Sequence, residues 1–219
     1  MKMLKNLDSK RILDIILSII CLIVLSPFYI LVPLFIFFED YKSPIFKAER
    51  MGLNGKKFNC YKFRSMKVCN DKEENVGITC RSKVKDRVTK IGKVIRAYRI
   101  DEFPQVFNII KGDMSFLGPR PQSEKYTLIY PSEYKKILSL RPGITGLCTI
   151  KFYFTEEKMI KEAEDPEKTY ITKILPMKFK YNLFYVSNQS MALDIKIISW
   201  TIIDVVYHKL IKRVLKIDI

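Results

Sequence analysis

Residues 12–38 read ILDIILSIICLIVLSPFYILVPLFIFF, an apolar run broken near its middle by Ser26 and Pro27. At about 1.5 Å per residue, a straight helix of this length could cross a bilayer. A proline inside a helix removes a hydrogen bond and kinks or breaks the helix, so we predict a break at Ser26-Pro27. No cleavage site of small residues follows the run, which argues against a signal peptide. The run therefore predicts a membrane segment.

Basic residues flank this run on both sides, so the positive-inside rule does not choose an orientation. They are Lys2, Lys5, Lys10 and Arg11 before it, and Lys42, Lys47, Arg50, Lys56 and Lys57 after it. Two interpretations stay open: a kinked transmembrane helix, or a re-entrant helix that bends at Ser26-Pro27 and leaves by the face it entered. Protein neighbours would have to satisfy the backbone groups freed by such a bend.

The composition bounds the rest of the chain. The 219 residues are 48% hydrophobic and carry a net charge of +16, which favours an anionic partner: nucleic acid, an acidic membrane surface or a phosphorylated substrate. Five cysteines form no C-x-x-C pair, which is typical of reduced thiols facing a cytosol. His208 is the only histidine, which argues against a histidine-based metal site, a Ser-His-Asp triad or a histidine general base. Acid–base or nucleophilic chemistry must fall to carboxylates, lysine, tyrosine or cysteine.

Residues 99–113 read RIDEFPQVFNIIKGD and predict a short helix with two carboxylates at its start. Pro104 is tolerated in a first helical turn and Gly112 is a natural helix stop. An apolar face is expected from Phe103, Val106, Phe107 and Ile110. Asp101 and Glu102 therefore lie at the positive end of a helix, where phosphate is also attracted. Capping of the helix is the alternative role for this pair.

Other segments predict a small sheet among helices. Residues 58–66 alternate as in a strand and follow a turn at 52–55, and residues 90–97 suggest a short helix. Residues 70–86 are predicted to form a loop, and 133–140 a short helix. Residues 193–214 predict a helix that either lies on a membrane surface or packs in the core, with Ile195, Ile198 and Ile202 on one stripe. The segment 151–180 carries no clear pattern.

Four cations complete the candidate site: Lys62, Arg64, Arg120 and Arg141. Two lie in the predicted strand, and two lie in turns stiffened by proline and glycine. Arginine in a rigid turn suits phosphate, because its planar fork binds oxygens in pairs. A carboxylate can attack phosphorus, and its neighbour can help to hold Mg²⁺. Each cation taken singly could instead form a surface salt bridge.

No G-x-G-x-x-G or P-loop motif is present, and no D-x-D that many nucleotide-sugar transferases use for a metal. Signatures of nucleic-acid-binding proteins are also absent, so no nucleic-acid partner is expected.

Taken in order, the motifs resemble those of bacterial sugar transferases, the monotopic polyprenol-phosphate phosphoglycosyl transferases. The resemblance covers nearly the whole chain. It is carried by residues 10–14 (KRILD), 25–27 (LSP), 49–52 (ERMG), 61–66 (YKFRSM), 100–105 (IDEFPQ), 107–108 (FN), 111–115 (KGDMS), 118–121 (GPRP), 141–146 (RPGITG) and 193–197 (LDIKI).

The resemblance implies a reaction and a site. Asp101 is expected to attack the β-phosphate of a UDP-sugar and to release UMP, and Glu102 to assist Mg²⁺ binding, so that both carboxylates are expected metal ligands. Arg120 is expected to hold phosphate. The residues themselves add Lys62, Arg64 and Arg141 as predicted phosphate-binding cations. A polyprenol (undecaprenyl) phosphate then takes the phospho-sugar, which is the first membrane step of glycoconjugate synthesis. The expected location is the cytoplasmic face of the bacterial inner membrane, in contact with its lipid.

For the fold, the resemblance implies a re-entrant helix over residues 1–40, bent at Ser26-Pro27, and a cytoplasmic catalytic domain over 41–219. We expect a helix-rich mixed α/β fold with a small sheet and amphipathic surface helices, the minimal catalytic form of the family. The chain departs from the family pattern at Ala48 and at residues 147–151, which leaves the donor sugar open. A non-catalytic membrane-surface protein is the alternative of a different class. It would need no Asp101-Glu102 pair.

Overall fold

The computed structural model describes residues 2–67, 87–201 and 203. The chain opens with two helices, α1 (Lys2–Val24) and α2 (Ser26–Asp40). They meet at an angle of 62°. Pro27 lies in the first turn of α2, and the carbonyl of Leu25 accepts hydrogen bonds from the N–H groups of Phe28 and Tyr29. The predicted break at Ser26-Pro27 is confirmed.

Among the described residues, no helix by itself has the length and hydropathy needed to cross a bilayer. The bent pair of residues 9–24 and 26–40 meets that requirement jointly, by length and composition.

Within the described residues, the strands form two small sheets, each of two strands. The antiparallel pair β1 (Ile45–Met51) and β2 (Lys57–Phe63) is joined by a 3-10 turn over Leu53–Gly55. The parallel pair is β3 (Ser115–Leu117) and β4 (Gly143–Thr145). The small sheet expected around residues 58–66 is confirmed, although β2 ends at Phe63.

Helices make up most of the remaining described chain. They are α3 (Lys90–Ala97), a 3-10 turn at Ile100–Glu102, α4 (Gln105–Lys111), α5 (Glu124–Ile129), α6 (Pro131–Ile137), α7 (Leu147–Lys161), α8 (Pro166–Thr169), a π turn at Tyr170–Ile174, α9 (Leu175–Asn188) and α10 (191–201). The helix-rich mixed α/β class is therefore confirmed. Residues 151–180, which carried no clear pattern, are almost wholly helical. The predicted loop at 70–86 and the helix beyond residue 203 lie outside the described residues.

The face predicted for α4 is only partly buried. Val106 and Ile109 are in the core, whereas Phe107 and Ile110 are exposed. This short helix contacts two different parts of the protein. One side packs against β2 and β3, and on another side the ring of Phe107 lies 5.7 Å from the ring of Tyr29 in α2. The predicted apolar face therefore lies only partly in the core.

The stripe predicted for the C-terminal helix is also corrected at its start. Ile195 is exposed and Ile197 is fully buried. The reason is that Asp194 turns inward to a polar network, which places Ile197, three residues later, on the buried side.

Lys10, Asp14 and Ser18 of α1 face the protein body, and the isoleucines of α1 face outward. Lys10 donates to the carbonyl of Leu117 and to the hydroxyl of Tyr185, and it pairs with Asp194 at 3.3 Å. Asp14 accepts hydrogen bonds from the Ser115 hydroxyl and the Phe116 N–H, both at 3.0 Å. The exposed side chains include Ile12, Ile16, Ile19, Ile20 and Ile23. This is the reverse of the arrangement typical of a surface helix in water.

Candidate active site

The β1–β2 hairpin presents Lys62 on one of its two faces. Side chains alternate along a strand, and directly paired residues share a face. Phe46 pairs with Lys62, Ala48 with Cys60 and Arg50 with Phe58, so these six side chains lie on the same face.

The hairpin is held against α4 by Asn108, which is fully buried. Its side-chain oxygen accepts from the N–H of Tyr61 at 2.9 Å, and its amide nitrogen donates to the carbonyl of Asn59 at 2.7 Å. One amide thus satisfies the outer edge of β2 and fixes the distance between Lys62 and the start of α4. The sequence alone predicted no role for Asn108, although it displays the motif Phe107-Asn108.

Asp101 and Glu102 lie in the 3-10 turn just before α4. Arg99, the residue immediately before this turn, has a φ of 55°, which is uncommon for a residue other than glycine. Such conformations persist where the surrounding structure imposes them, often at functional sites. Gly112, with a φ of 92°, ends α4 as predicted.

The carboxylate of Glu102 joins two of the predicted cations. Lys62 Nζ donates to Glu102 Oε1 at 2.8 Å, and Arg120 Nη2 donates to the same oxygen at 2.6 Å. The Glu102 side chain is 10% exposed, and that of Arg120 is 42% exposed. The structure therefore brings together Asp101, Glu102, Lys62 and Arg120, with one face of the arginine open.

The two neighbouring carboxyl groups have pKa values displaced in opposite directions. Burial alone would raise the pKa of Glu102, but the charges and hydrogen bonds of Arg120 and Lys62 outweigh it and lower that pKa to about 2. Burial raises the pKa of Asp101 above 3.8, and the charge of Glu102 adds to this, against smaller opposing effects of Lys62 and two arginines. No described residue donates a hydrogen bond to the Asp101 carboxylate. Asp101 is thus the less stabilised anion, and its oxygens are available to a substrate.

Arg120 is positioned by a close approach of two turns. The N–H of Gly118 donates to the carbonyl of Thr145, and the N–H of Gly143 donates to that of Pro119. A Cβ at Gly118 would lie 2.4 Å from the carbonyl oxygen of Arg141, and one at Gly143 would lie 2.1 Å from the nitrogen of Gly118. Neither contact is possible, so glycine is required where the Arg120 turn meets β4.

Arg64 and Arg141 are engaged elsewhere. The Arg64 guanidinium binds both carboxylate oxygens of Asp40, at 2.5 and 2.6 Å, and donates to the carbonyl of Ser43. It therefore ties the end of α2 to the body. Arg141 donates to the carbonyl of Gly112 at 2.8 Å. The structure does not bring either residue to the Asp101-Glu102 pair, and their phosphate-binding role stays a prediction that this geometry does not favour.

The carboxylates of Asp101 and Glu102 are oxygen ligands of the kind that Mg²⁺ prefers. Among the described residues, no three or more histidine, cysteine, aspartate or glutamate side chains form a metal cluster. Mg²⁺, however, is commonly held by one or two carboxylates together with substrate phosphates. The free oxygens of Asp101 and Glu102 fit that mode.

A separate groove of about 300 Å³ lies on the other face of the hairpin. Its lining is mostly apolar, with one cation, and comprises Tyr29, Ile45, Tyr61, Pro104, Phe107 and Lys111. The Lys111 ammonium donates to the Tyr61 hydroxyl at 2.8 Å. The groove adjoins α2, away from the Lys62 face.

Comparison with known proteins supplies independent evidence. The family model described as "Bacterial sugar transferase" matches residues 5–208. The UDP-glucose:undecaprenyl-phosphate glucose-1-phosphate transferase of Klebsiella pneumoniae is 33% identical over 90% of this chain, which spans 40% of that enzyme. The exopolysaccharide production protein ExoY of Sinorhizobium fredii is 34% identical over 89% of this chain and 84% of its own length.

A third relative differs in its sugar. The UDP-N-acetylgalactosamine-undecaprenyl-phosphate N-acetylgalactosaminephosphotransferase of Aeromonas hydrophila is 34% identical over 88% of this chain, which covers 42% of its length. Similar identity to relatives named for glucose and for N-acetylgalactosamine means that overall identity does not choose the sugar. The match over residues 5–208, together with these relatives, shows that the chain belongs to the bacterial sugar transferase family.

Proposed function

We propose that this chain transfers a sugar 1-phosphate from a UDP-sugar to undecaprenyl phosphate and releases UMP. The observation that carries the proposal is the contrast within one turn. Glu102 is neutralised by Lys62 and Arg120, while Asp101 beside it is partly buried and accepts no hydrogen bond from a described residue. An anion poorly stabilised by its surroundings is the better nucleophile. The family membership and the names of the relatives support the substrate classes.

In the first half-reaction, an oxygen of Asp101 attacks the β-phosphorus of the UDP-sugar. The bond from that phosphorus to the bridging oxygen breaks, and UMP leaves with the electron pair. The sugar phosphate remains on Asp101 as an acyl phosphate. Arg120 and Lys62 lie where they can offset charge on the transferring phosphoryl oxygens.

In the second half-reaction, a phosphate oxygen of undecaprenyl phosphate attacks the same phosphorus. The acyl-phosphate bond breaks, the Asp101 carboxylate is regenerated, and the product is an undecaprenyl-diphosphate sugar.

Mg²⁺, held by Asp101 and Glu102 with the donor diphosphate, would offset negative charge on that diphosphate. Glu102 also fixes Lys62 and Arg120 in place.

We further propose that α1 and α2 form a re-entrant membrane segment that keeps the site at the cytoplasmic face of the inner membrane. Its support is the inverted α1, whose polar residues bind the body while its isoleucines are exposed, and the exposed phenylalanines of α2. An exposed surface made of so many apolar side chains is more stable in contact with lipid than with water. Single cysteines at residue 3 and at Lys56 should be labelled from the same side of the membrane. Labelling from opposite sides would favour a true span. The native Cys60 is 2% exposed and is unsuited as the probe.

The experiment that tests the reaction omits the acceptor. Purified protein with Mg²⁺ is incubated with a panel of UDP-sugars, and UMP release and intact protein mass are measured. We expect one equivalent of UMP and a mass increase of one sugar phosphate for a matching donor, neither of which Asp101→Asn should give. Addition of undecaprenyl phosphate should then remove the added mass. Turnover retained by Asp101→Asn would overturn the role of Asp101.

A further inference from the structure

Arg50 lies in β1 on the hairpin face that carries Lys62. The pairing of Arg50 with Phe58, in register with Ala48–Cys60 and Phe46–Lys62, fixes this orientation. In the sequence, Arg50 is one of the basic residues that flank the apolar run and part of the motif at 49–52, and neither pattern predicts a place in the site.

The end of β1 is held next to the segment that carries Arg120. The N–H of Met51 donates to the carbonyl of Gln122 at 2.9 Å. Met51 follows Arg50 directly, and Gln122 lies two residues after Arg120. The backbone segments that carry the two arginines are therefore hydrogen-bonded to each other. The packing of β1 against α5, which begins at Glu124, maintains this arrangement.

The Arg50 guanidinium has little to balance its charge. It donates to the carbonyl of Glu49 at 2.7 Å, and no carboxylate of the described residues forms an ion pair with it. The nearby side chains include Tyr126 and Tyr170, whose rings are buried and 4.9 Å apart. Burial lowers the pKa of Arg50, and repulsion from Arg120 lowers it further.

The charges of Arg50 and Arg120 act on each other, and like charges repel unless an anion lies between them. Glu102 balances Arg120 from one side and is shared with Lys62. We infer that Arg50, beside Arg120, binds the diphosphate of the nucleotide donor. This inference rests on the proposed function for the identity of the donor. Arg50 is then a donor-binding residue that holds the departing UMP phosphate, while Asp101 acts on the β-phosphorus.

The test measures equilibrium binding of UDP, which all candidate donors share, to the full-length protein by calorimetry in the presence of Mg²⁺. Arg50→Gln should weaken UDP binding about 10-fold or more, since hydrogen bonds between charged groups are among the strongest in proteins. It should weaken UMP binding by a similar factor, because UMP keeps the phosphate that Arg50 is proposed to hold. Arg50→Lys keeps the charge without the planar fork, so about a 3-fold loss for UDP is expected.

The matched control is Lys47→Gln, which removes the same charge from the same strand. Lys47 pairs with Tyr61 and lies on the opposite face of the hairpin. We expect its UDP affinity to stay at the level of the unmodified protein. Equal losses in Arg50→Gln and Lys47→Gln would reduce the effect to general charge and overturn the inference, as would unchanged UDP binding in Arg50→Gln. If Arg50→Gln does not fold, unchanged UDP binding by Arg50→Lys overturns it instead.

Different experiments test the role of Arg50 and the proposed reaction, so either can be contradicted without the other. Absence of a phospho-sugar on Asp101 with every donor would overturn the reaction, whereas UDP binding measures Arg50 without any turnover. Repeating the titrations with intact UDP-sugars in an Asp101→Asn background keeps the donor from being consumed. A loss confined to Arg50 variants in that background supports the inference directly.

Discussion

Asp101 and Glu102 are adjacent in the chain, yet the pKa of Asp101 is raised above 3.8 while that of Glu102 is lowered to about 2. Burial acts on both groups. Only Glu102 receives hydrogen bonds from Lys62 and Arg120, so only Glu102 is compensated. Carboxyl groups whose environments push their pKa values apart can divide roles between them. Here the compensated group organises the cations, and the uncompensated group is left to react.

Asp101→Asn should stabilise the folded protein at neutral pH. A carboxyl group with a raised pKa in the folded state releases its proton at a higher pH than in the unfolded state. The folded protein is therefore destabilised as pH rises from the unfolded-state pKa to the folded-state pKa of Asp101. An amide removes that penalty. A gain of about 1 kcal/mol corresponds to a rise of about 2–4 °C in Tm for a chain of this size. Thermal unfolding in detergent at pH 7 and at pH 4 measures it, and the difference from the unmodified protein should shrink at the lower pH. A lower Tm for Asp101→Asn at pH 7 would contradict the burial argument.

The rate of phospho-sugar formation should fall on the acid side with the titration of Asp101. Its carboxylate must be ionised to attack, so the rate declines as pH falls through a raised pKa, above 3.8. Glu102, with a pKa of about 2, stays ionised over this range and does not contribute. Single-turnover UMP release against pH gives the profile. A rate that stays constant toward acid pH would remove Asp101 as the attacking anion.

Glu102→Gln should reduce both activity and the response to Mg²⁺. The amide still accepts a hydrogen bond, but Lys62 and Arg120 lose their counter-charge. The loss of a charge-assisted bond of this kind costs about 2 kcal/mol, and the two cations are then free to move apart. Turnover measured across a Mg²⁺ titration should show a lower maximum and a higher half-saturating concentration. A metal requirement identical to that of the unmodified protein would remove Glu102 from the metal site.

Stability below neutral pH gives a second measure of Glu102. Its pKa is lowered in the folded state, so the stabilisation from its ion pairs is complete above about 4.5 and is lost as pH falls toward 2. Glu102→Gln lacks this titration. The two proteins should therefore differ in Tm at pH 6 and converge at the lowest pH that both tolerate, and a constant difference across that range would argue against the ion pairs.

Arg64→Gln should destabilise the protein while leaving the chemistry of its folded fraction intact. Arg64 is buried and binds Asp40 through two nitrogens, but Asp40 is 27% exposed and is hydrated once it is unpaired, so we expect a cost of about 1.5–3 kcal/mol. Arg120→Gln should lose turnover as well as stability, because Arg120 meets the reacting pair and balances the charge of the buried Glu102.

The control for Arg64 is the double variant Asp40→Asn with Arg64→Gln, which leaves no unpaired charge. Part of the lost stability should return in it. A raised KM for the UDP-sugar in folded Arg64→Gln would instead restore Arg64 as a phosphate ligand, as the sequence analysis predicted.

Several features follow from residues that are near in the chain. The break at Ser26-Pro27 comes from the missing N–H of proline, and the end of α4 comes from the left-handed φ that Gly112 permits. The pair Asp101-Glu102 at the start of α4 is likewise local, as is the hairpin around residues 52–63. Such features depend on the backbone preferences of individual residues, which a sequence displays directly.

The tertiary structure decided which cations reach the carboxylates. Lys62 and Arg64 are two apart, and strand alternation would place them on one face. β2 ends at Phe63, however, so Arg64 leaves the alternation and binds Asp40 instead. Asn108 and Arg50 take their places through β-pairing and backbone contacts between distant segments, which no local pattern reveals.

The apolar run shows the same division between local and tertiary information. The sequence by itself determined that residues 12–38 are apolar, helical and broken at Ser26-Pro27. Only the tertiary structure decided that Lys10 and Asp14 turn inward to the body and the isoleucines turn outward. The physical reason is that a buried charge needs a partner, and these partners, Asp194, Ser115 and the backbone at Phe116 and Leu117, lie a hundred or more residues away in the sequence.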